Sequence, residues 1–114
     1  MTLSEIYLKA AEVIRTNGHY KGAYYGWGES GVGITLAPAE CPVCTAGALS
    51  VAISGQPVPT SDEFDVVALD FARRTRLPFD LNWPTIAIGD WNDDPERTAA
   101  DVIAALELAA KAAA

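Results

Sequence analysis

A threonine followed three residues later by an acidic side chain marks a helix N-terminus, because each side chain can satisfy a backbone N–H at the other's position. The pattern occurs at Thr2 to Glu5, Thr60 to Glu63 and Thr98 to Asp101. Each stands ahead of apolar residues at helical spacing, so this chain is committed to helices near its start, middle and end. Ile6, Ala10, Val13 and Ile14 predict a helix over about residues 3–16, closed by Thr16-Asn17-Gly18. Phe64, Val67, Ala68 and Phe71 predict another, from the Thr60 box to about Arg76. Arg73, Arg74 and Arg76 suit the negative end of its dipole, and Pro78 follows. Val102, Ala105 or Leu106, and Ala109 form the inner face of the last.

The intervening segments are less regular. Val43 to Ser54 is small and apolar and reads as a short buried helix, broken by Gly55-Gln56-Pro57-Val58-Pro59. Pro84 suits the first turn of a short helix over Thr85–Trp91, with an extended Thr85–Ile88 as the alternative. From His19 to Pro38 glycines interleave with Tyr20, Tyr24, Tyr25 and Trp27. This stretch suits a hairpin pairing Gly22–Trp27 with Val32–Leu36, or else an ordered loop within residues 20–36. The expected architecture is α+β, mainly α: a single domain over residues 1–114, of about four helices with a small β-hairpin or ordered loop. Its core is expected to hold Ile6, Val13, Ile14, Leu49, Ile53, Phe64, Val67, Phe71, Ile86, Trp91, Val102 and Leu106.

Charge narrows the function classes. The 114 residues carry 15 acidic and 8 basic side chains, a net charge of −7. Phosphate backbones and anionic membranes are bound by clustered lysine and arginine, so neither nucleic acid nor a membrane surface is the expected partner. Half the residues are hydrophobic and a fifth are charged, enough to close a core. No window approaches the roughly 18 apolar residues of a membrane span, and the N-terminus lacks the order of a secretory signal. A cytoplasmic protein is expected.

Several residues have types that support chemistry. Cys41-Pro-Val-Cys44 has the C-x-x-C spacing of redox pairs, but no strong strand leads into it as in the thioredoxin arrangement. Two cysteines and His19 fall short of a structural zinc set unless a carboxylate or water completes it. A Cys44 nucleophile with His19 as base needs the two to meet in the fold. Asp90, Asp93, Asp94 and Glu96 cluster ahead of a helix, where acidic groups also simply favour the dipole. The plainer reading makes Cys44 a small buried residue. No nucleotide, zinc-protease or serine-hydrolase signature is present. No catalytic residue, metal or cofactor is therefore assigned, and an enzyme is the less favoured reading. Trp91, Asn92, Asp93 and Arg97 combine the types that line a polar recognition pocket. The same residues also read as a structural turn, with Asn92 and Asp93 bonding their own backbone and Trp91 anchored in the core.

Cys44-Thr-Ala-Gly47-Ala48-Leu49, followed by Trp91-Asn92-Asp93-x-Pro95-x-Arg97-Thr98-x-x-Asp101-Val102, resembles the small actinobacterial and actinophage proteins classed as domain of unknown function 6197. The likeness covers nearly the whole chain. It departs at Thr45, where the family commonly has alanine, and in the glycine- and tyrosine-rich insert. A looser likeness exists to phage proteins with a Cys-Cys-Leu-Gly core helix and a later Asn-Asp. Both imply a phage-associated cytosolic protein, and neither implies an enzyme. Two functions follow as expectations. One is a non-enzymatic module that docks on a host or phage protein through Tyr24, Tyr25 and Trp27, since tyrosine and tryptophan are the usual interface anchors. The other is a small-ligand or Cys-dependent site where the Cys44 helix meets the Trp91-Asn92-Asp93 turn. The alanine-rich last helix is as compatible with a homodimer as with a monomer core.

Overall fold

The computed structural model of the protein describes residues 1–26, 36–78 and 83–114. Within them lie five α-helices: α1 (Leu3–Asn17), α2 (Thr45–Ser54), α3 (Asp62–Arg74), α4 (Pro84–Asp93) and α5 (Ala99–Ala113). Two of the three expected capping boxes form. Thr2 Oγ1 accepts the Glu5 N–H at 3.1 Å while the Glu5 carboxylate accepts the Thr2 N–H at 2.9 Å. Thr98 and Asp101 repeat the exchange at the head of α5. At the third site the helix starts one residue later than expected. Ser61, not Thr60, is the N-cap, and its hydroxyl accepts the Phe64 N–H at 3.2 Å.

Helix α2 is the centre of the fold. Residues Thr45 to Ala52 are all buried, as a helix that is apolar on every side must be. Helices α1, α3 and α4 pack around it, and α5 lies along α1 and reaches α3. The two buried hydroxyls of α2 are satisfied: Ser50 Oγ donates to the Gln56 carbonyl at 2.6 Å and Thr45 Oγ1 to Asn92 Oδ1 at 2.7 Å. Between α1 and α3 the fully buried Tyr7 sets its ring against Phe71, 5.8 Å between centroids. Its phenol donates to the Asp70 carboxylate, which also accepts from Arg74 Nε at 2.7 Å. Burial, and then that carboxylate, push the Tyr7 hydroxyl well above the ordinary phenol range, so it stays a donor. The inner face of α5, with Val102, Leu106, Ala109 and Ala110 buried, is covered within the monomer.

Several expectations change. Residues 84–93 form a full helix, which raises the helix number from about four to five and removes the extended alternative for Thr85–Ile88. Ile86 is 56% exposed, because the turn of α4 sends Ala87 and Ile88 inward instead. Val13, Ile53 and Trp91 are half-buried against the core and the other expected core residues are buried.

The hairpin is not supported. Residues 21–24 are bends, and the backbone of this segment pairs with residues 42–44. Tyr20 N–H donates to the Val43 carbonyl and Gly26 N–H to the Pro42 carbonyl, both at 2.9 Å. Cys44 N–H donates to the Tyr24 carbonyl at 3.1 Å. Single bridges join His19 and Tyr25 to Val43, with no longer strand among the described residues. Gly26 of the first arm thus pairs with the approach to α2. Residues 27–35, which hold Trp27, the expected turn and most of the second arm, lie outside the described residues.

Gly47 permits this crossing. A Cβ at that position would stand 2.2 Å from the Tyr24 carbonyl oxygen, a distance no neighbour in a rigid backbone accommodates. Gly47→Ala is expected to destabilise the protein by about 3 kcal/mol, the upper part of the overpacking range. Gly89→Ala, whose added Cβ meets nothing within 4 Å in the middle of α4, is expected to gain about 0.5 to 1 kcal/mol from helix propensity. Urea unfolding of the two variants measures both signs.

Candidate functional site

Asn92 sits in the last turn of α4, fully buried. Its Oδ1 accepts from the Thr45 N–H at 2.9 Å, from Thr45 Oγ1 at 2.7 Å and from His19 Nε2 at 2.7 Å. Its Nδ2 donates to the Tyr20 carbonyl and to Asp93 Oδ1, each at 3.0 Å. The Thr45 N–H fixes which end of the amide is oxygen, and an oxygen only accepts, so His19 Nε2 carries the hydrogen. One side chain thereby closes the N-terminus of α2, the end of α4 and the start of the 19–26 segment. The expected turn that bonds its own backbone is replaced by one that reaches across the fold. At Thr45, where the sequence departs from the pattern it resembles, the hydroxyl adds a hydrogen bond to this junction.

The neighbouring motif residues extend the clamp. Asp93 Oδ1 also accepts the Gly22 N–H at 3.0 Å, and Lys21 Nζ donates to the Asp94 carbonyl at 2.7 Å. Trp91 meets Phe71 edge-on at 6.1 Å. The Arg97 guanidinium stacks over Trp91, 4.3 Å from the ring centroid, while its Nε donates to the Trp91 carbonyl at 3.0 Å and so satisfies a terminal acceptor of α4. Trp91, Asn92, Asp93 and Arg97 therefore each hold a joint between elements, while Thr98 caps its own helix.

Beside this clamp lies an open cleft of about 360 Å³, where the start of α2, residues 22–24 and one face of α4 meet. Of the candidate binding residues, Tyr24, Cys44 and Asp93 line it. Trp91 and Arg97 lie on the other side of α4, Asn92 is buried beneath, and Tyr25 is half-buried against the core. Sequence reasoning missed Ile86, Gly89 and Asp90 as lining residues. Their spacing with Asp93 is one helical face, legible only once residues 84–93 are read as helix throughout.

The two cysteines take part in the approach to α2 and in its N-cap. Cys44 is the N-cap of α2: its sulfur accepts the Gly47 N–H at 3.3 Å. Burial raises its thiol above the ordinary range, outweighing the helix amides that lower it. Cys41 is fully buried, its sulfur 3.4 Å from the Ala37 carbonyl, and both cysteines are free. His19 Nε2 and Cys44 are engaged with different partners. Among the described residues no three His, Cys, Asp or Glu side chains converge as metal ligands, and no helix is long and apolar enough to cross a membrane.

Asn92→Ala is expected to cost about 3 kcal/mol, since it leaves the buried Thr45 N–H without its acceptor. Thermal and urea unfolding measure this. Cys44, 6% exposed and protonated at neutral pH, is expected to react with iodoacetamide at pH 8 at least about tenfold more slowly in the folded protein than in urea. Peptide mapping of the labelled residue reads the ratio.

No curated protein and no solved structure matches the chain significantly. The model of a family of unknown function, DUF6197, matches residues 1–112, and the chain belongs to that family.

Proposed function

We propose that the protein is a non-enzymatic binding module that holds a segment of a partner protein in the cleft between α2, α4 and residues 22–24. The observation that carries this reading is a pair of apolar side chains left in water at the cleft. Tyr24 is 37% and Ile86 56% exposed, while Asp90 and Asp93 lie beside them. A partner segment that fits presents an apolar side chain next to a lysine or arginine, in keeping with a chain of net charge −7. The phage association implied by the sequence resemblance makes that partner a host or phage protein. Tyr24 serves as the aromatic anchor, and Tyr25 supports it from the core side.

A second reading keeps the cleft for a small ligand, because its volume falls at the small end of ligand pockets. A Cys-dependent reaction is the weaker form of it, since a capped, protonated Cys44 is a poor nucleophile.

Selection of a random peptide display library on the folded protein tests the docking reading. Peptides pairing a bulky apolar residue with Lys or Arg are expected. Their affinity should fall at least about tenfold, or about 1.4 kcal/mol, in both Ile86→Asp and Tyr24→Ala. Far-UV circular dichroism should be unchanged in those variants, and binding should weaken as salt rises. Peptides that bind both variants as well as the parent, or no enrichment at all, would overturn it.

A further inference from the structure

A second cleft, of about 290 Å³, opens on the other side of α4, between the C-terminal end of α3 and the side of α5 that carries Ala105, Leu108, Ala109 and Ala112. Its charge is opposite to that of the chain. Arg74 and Arg76 line it, and among the described residues no acidic side chain does, in a protein of net charge −7. Its apolar surface comes from Trp91, Leu108 and Ala112, with Leu108 69% exposed. We propose that this cleft is a binding site for a small apolar carboxylate, such as an aromatic or short acyl acid.

The arginines are placed for that chemistry. Arg74 is held by Asp70 through its Nε at 2.7 Å, and Asp70 is itself held by the buried Tyr7 phenol. A guanidinium already pinned through Nε has less freedom to lose when it meets a carboxylate, a group that guanidinium edges bind in planar fashion. Arg76 makes no ion pair among the described residues. It occupies the left-handed position after α3, with φ 56°, where Arg76 N–H bonds the Arg73 carbonyl and Leu77 N–H the Ala72 carbonyl. This is the helix-ending motif in which glycine or asparagine is the usual occupant. Here an arginine stands in that position, and its side chain lines the cleft. The helix terminus opposes an anion with only about half a charge, against full charges on the arginines. The Trp91 ring, backed by Arg97, offers a flat apolar surface for the acid's body.

The test uses ¹⁵N-labelled full chain titrated with 2-naphthoate, its neutral amide 2-naphthamide, and inorganic phosphate, followed by amide shifts. Naphthoate is expected to shift Arg74 to Leu77, Ala105 to Ala112 and the Trp91 indole N–H saturably, with the amide at least about tenfold weaker. Arg76→Gly, which suits the left-handed backbone and removes only the side chain, is expected to keep the melting temperature within a few degrees and weaken naphthoate at least about fivefold. No saturable shift at a few millimolar, shifts centred elsewhere, equal binding of the amide, or an unaffected Arg76→Gly would each overturn the proposal. Phosphate matching naphthoate in affinity would overturn it too, as an anion patch without an apolar subsite.

Discussion

The carboxamide of Asn92 is the joint on which the arrangement depends. It is fully buried, and both its oxygen and its nitrogen are engaged by groups from residues 19–20, residue 45 and its own helix. Each hydrogen bond contributes only about 1 kcal/mol net, but each partner left unmatched in the core costs about 1 to 3 kcal/mol. The network therefore forms as a whole or is penalised heavily. No aliphatic residue of similar size substitutes, because the N-terminal N–H groups of α2 need an acceptor at a place that water does not reach.

The candidate cleft inherits its shape from this joint and from Gly47. The 19–26 segment crosses the head of α2 so closely that the Tyr24 carbonyl would overlap any side chain at position 47. The same carbonyl accepts the Cys44 N–H. One wall of the cleft is thus set by backbone hydrogen bonds, which places Tyr24 without requiring its ring to pack in the core. The opposite wall is a face of α4, whose end is tied to the same segment through Asp93 and Lys21. Walls built this way are rigid relative to each other, and a rigid site loses less entropy on binding.

Charge is divided across α4. On one side Asp90 and Asp93 border the first cleft; on the other, Arg74 and Arg76 border the second. The motif that spans the helix end separates them, since Asp93 turns to the acidic side while Trp91 and Arg97 turn to the basic one. With a Debye length of about 8 Å at physiological salt, each cleft presents its own sign to a partner.

The helices that do not rely on distant partners were legible in the residues. Thr2 with Glu5 and Thr98 with Asp101 define helix starts by interactions three residues apart, and Gly18 closes α1 through its own backbone. The apolar stripe of α3 and the small-residue run of α2 likewise announced their burial. Within the site, the residue types at Cys44 and Trp91-Asn92-Asp93 were legible, and the two places do adjoin. Their roles were not. Asn92 carries the same side chain whether it bonds its own turn or a helix head across the core, and only the packing of α4 on α2 decided for the latter. The segment 20–26 has hairpin chemistry, yet the Tyr20 and Gly26 N–H groups donate to the carbonyls of residues 43 and 42, a close crossing that the absent side chain of Gly47 permits. Ile86 has the hydropathy of a core residue, and the rotation of α4 fixed by Ile88 and Asn92 left it in water. Sequence by itself determined where helices begin and which are apolar, because those effects act over one or two turns. Tertiary structure alone decided which polar atoms meet and which apolar side chains stay exposed, because both depend on groups tens of residues apart brought to hydrogen-bonding distance.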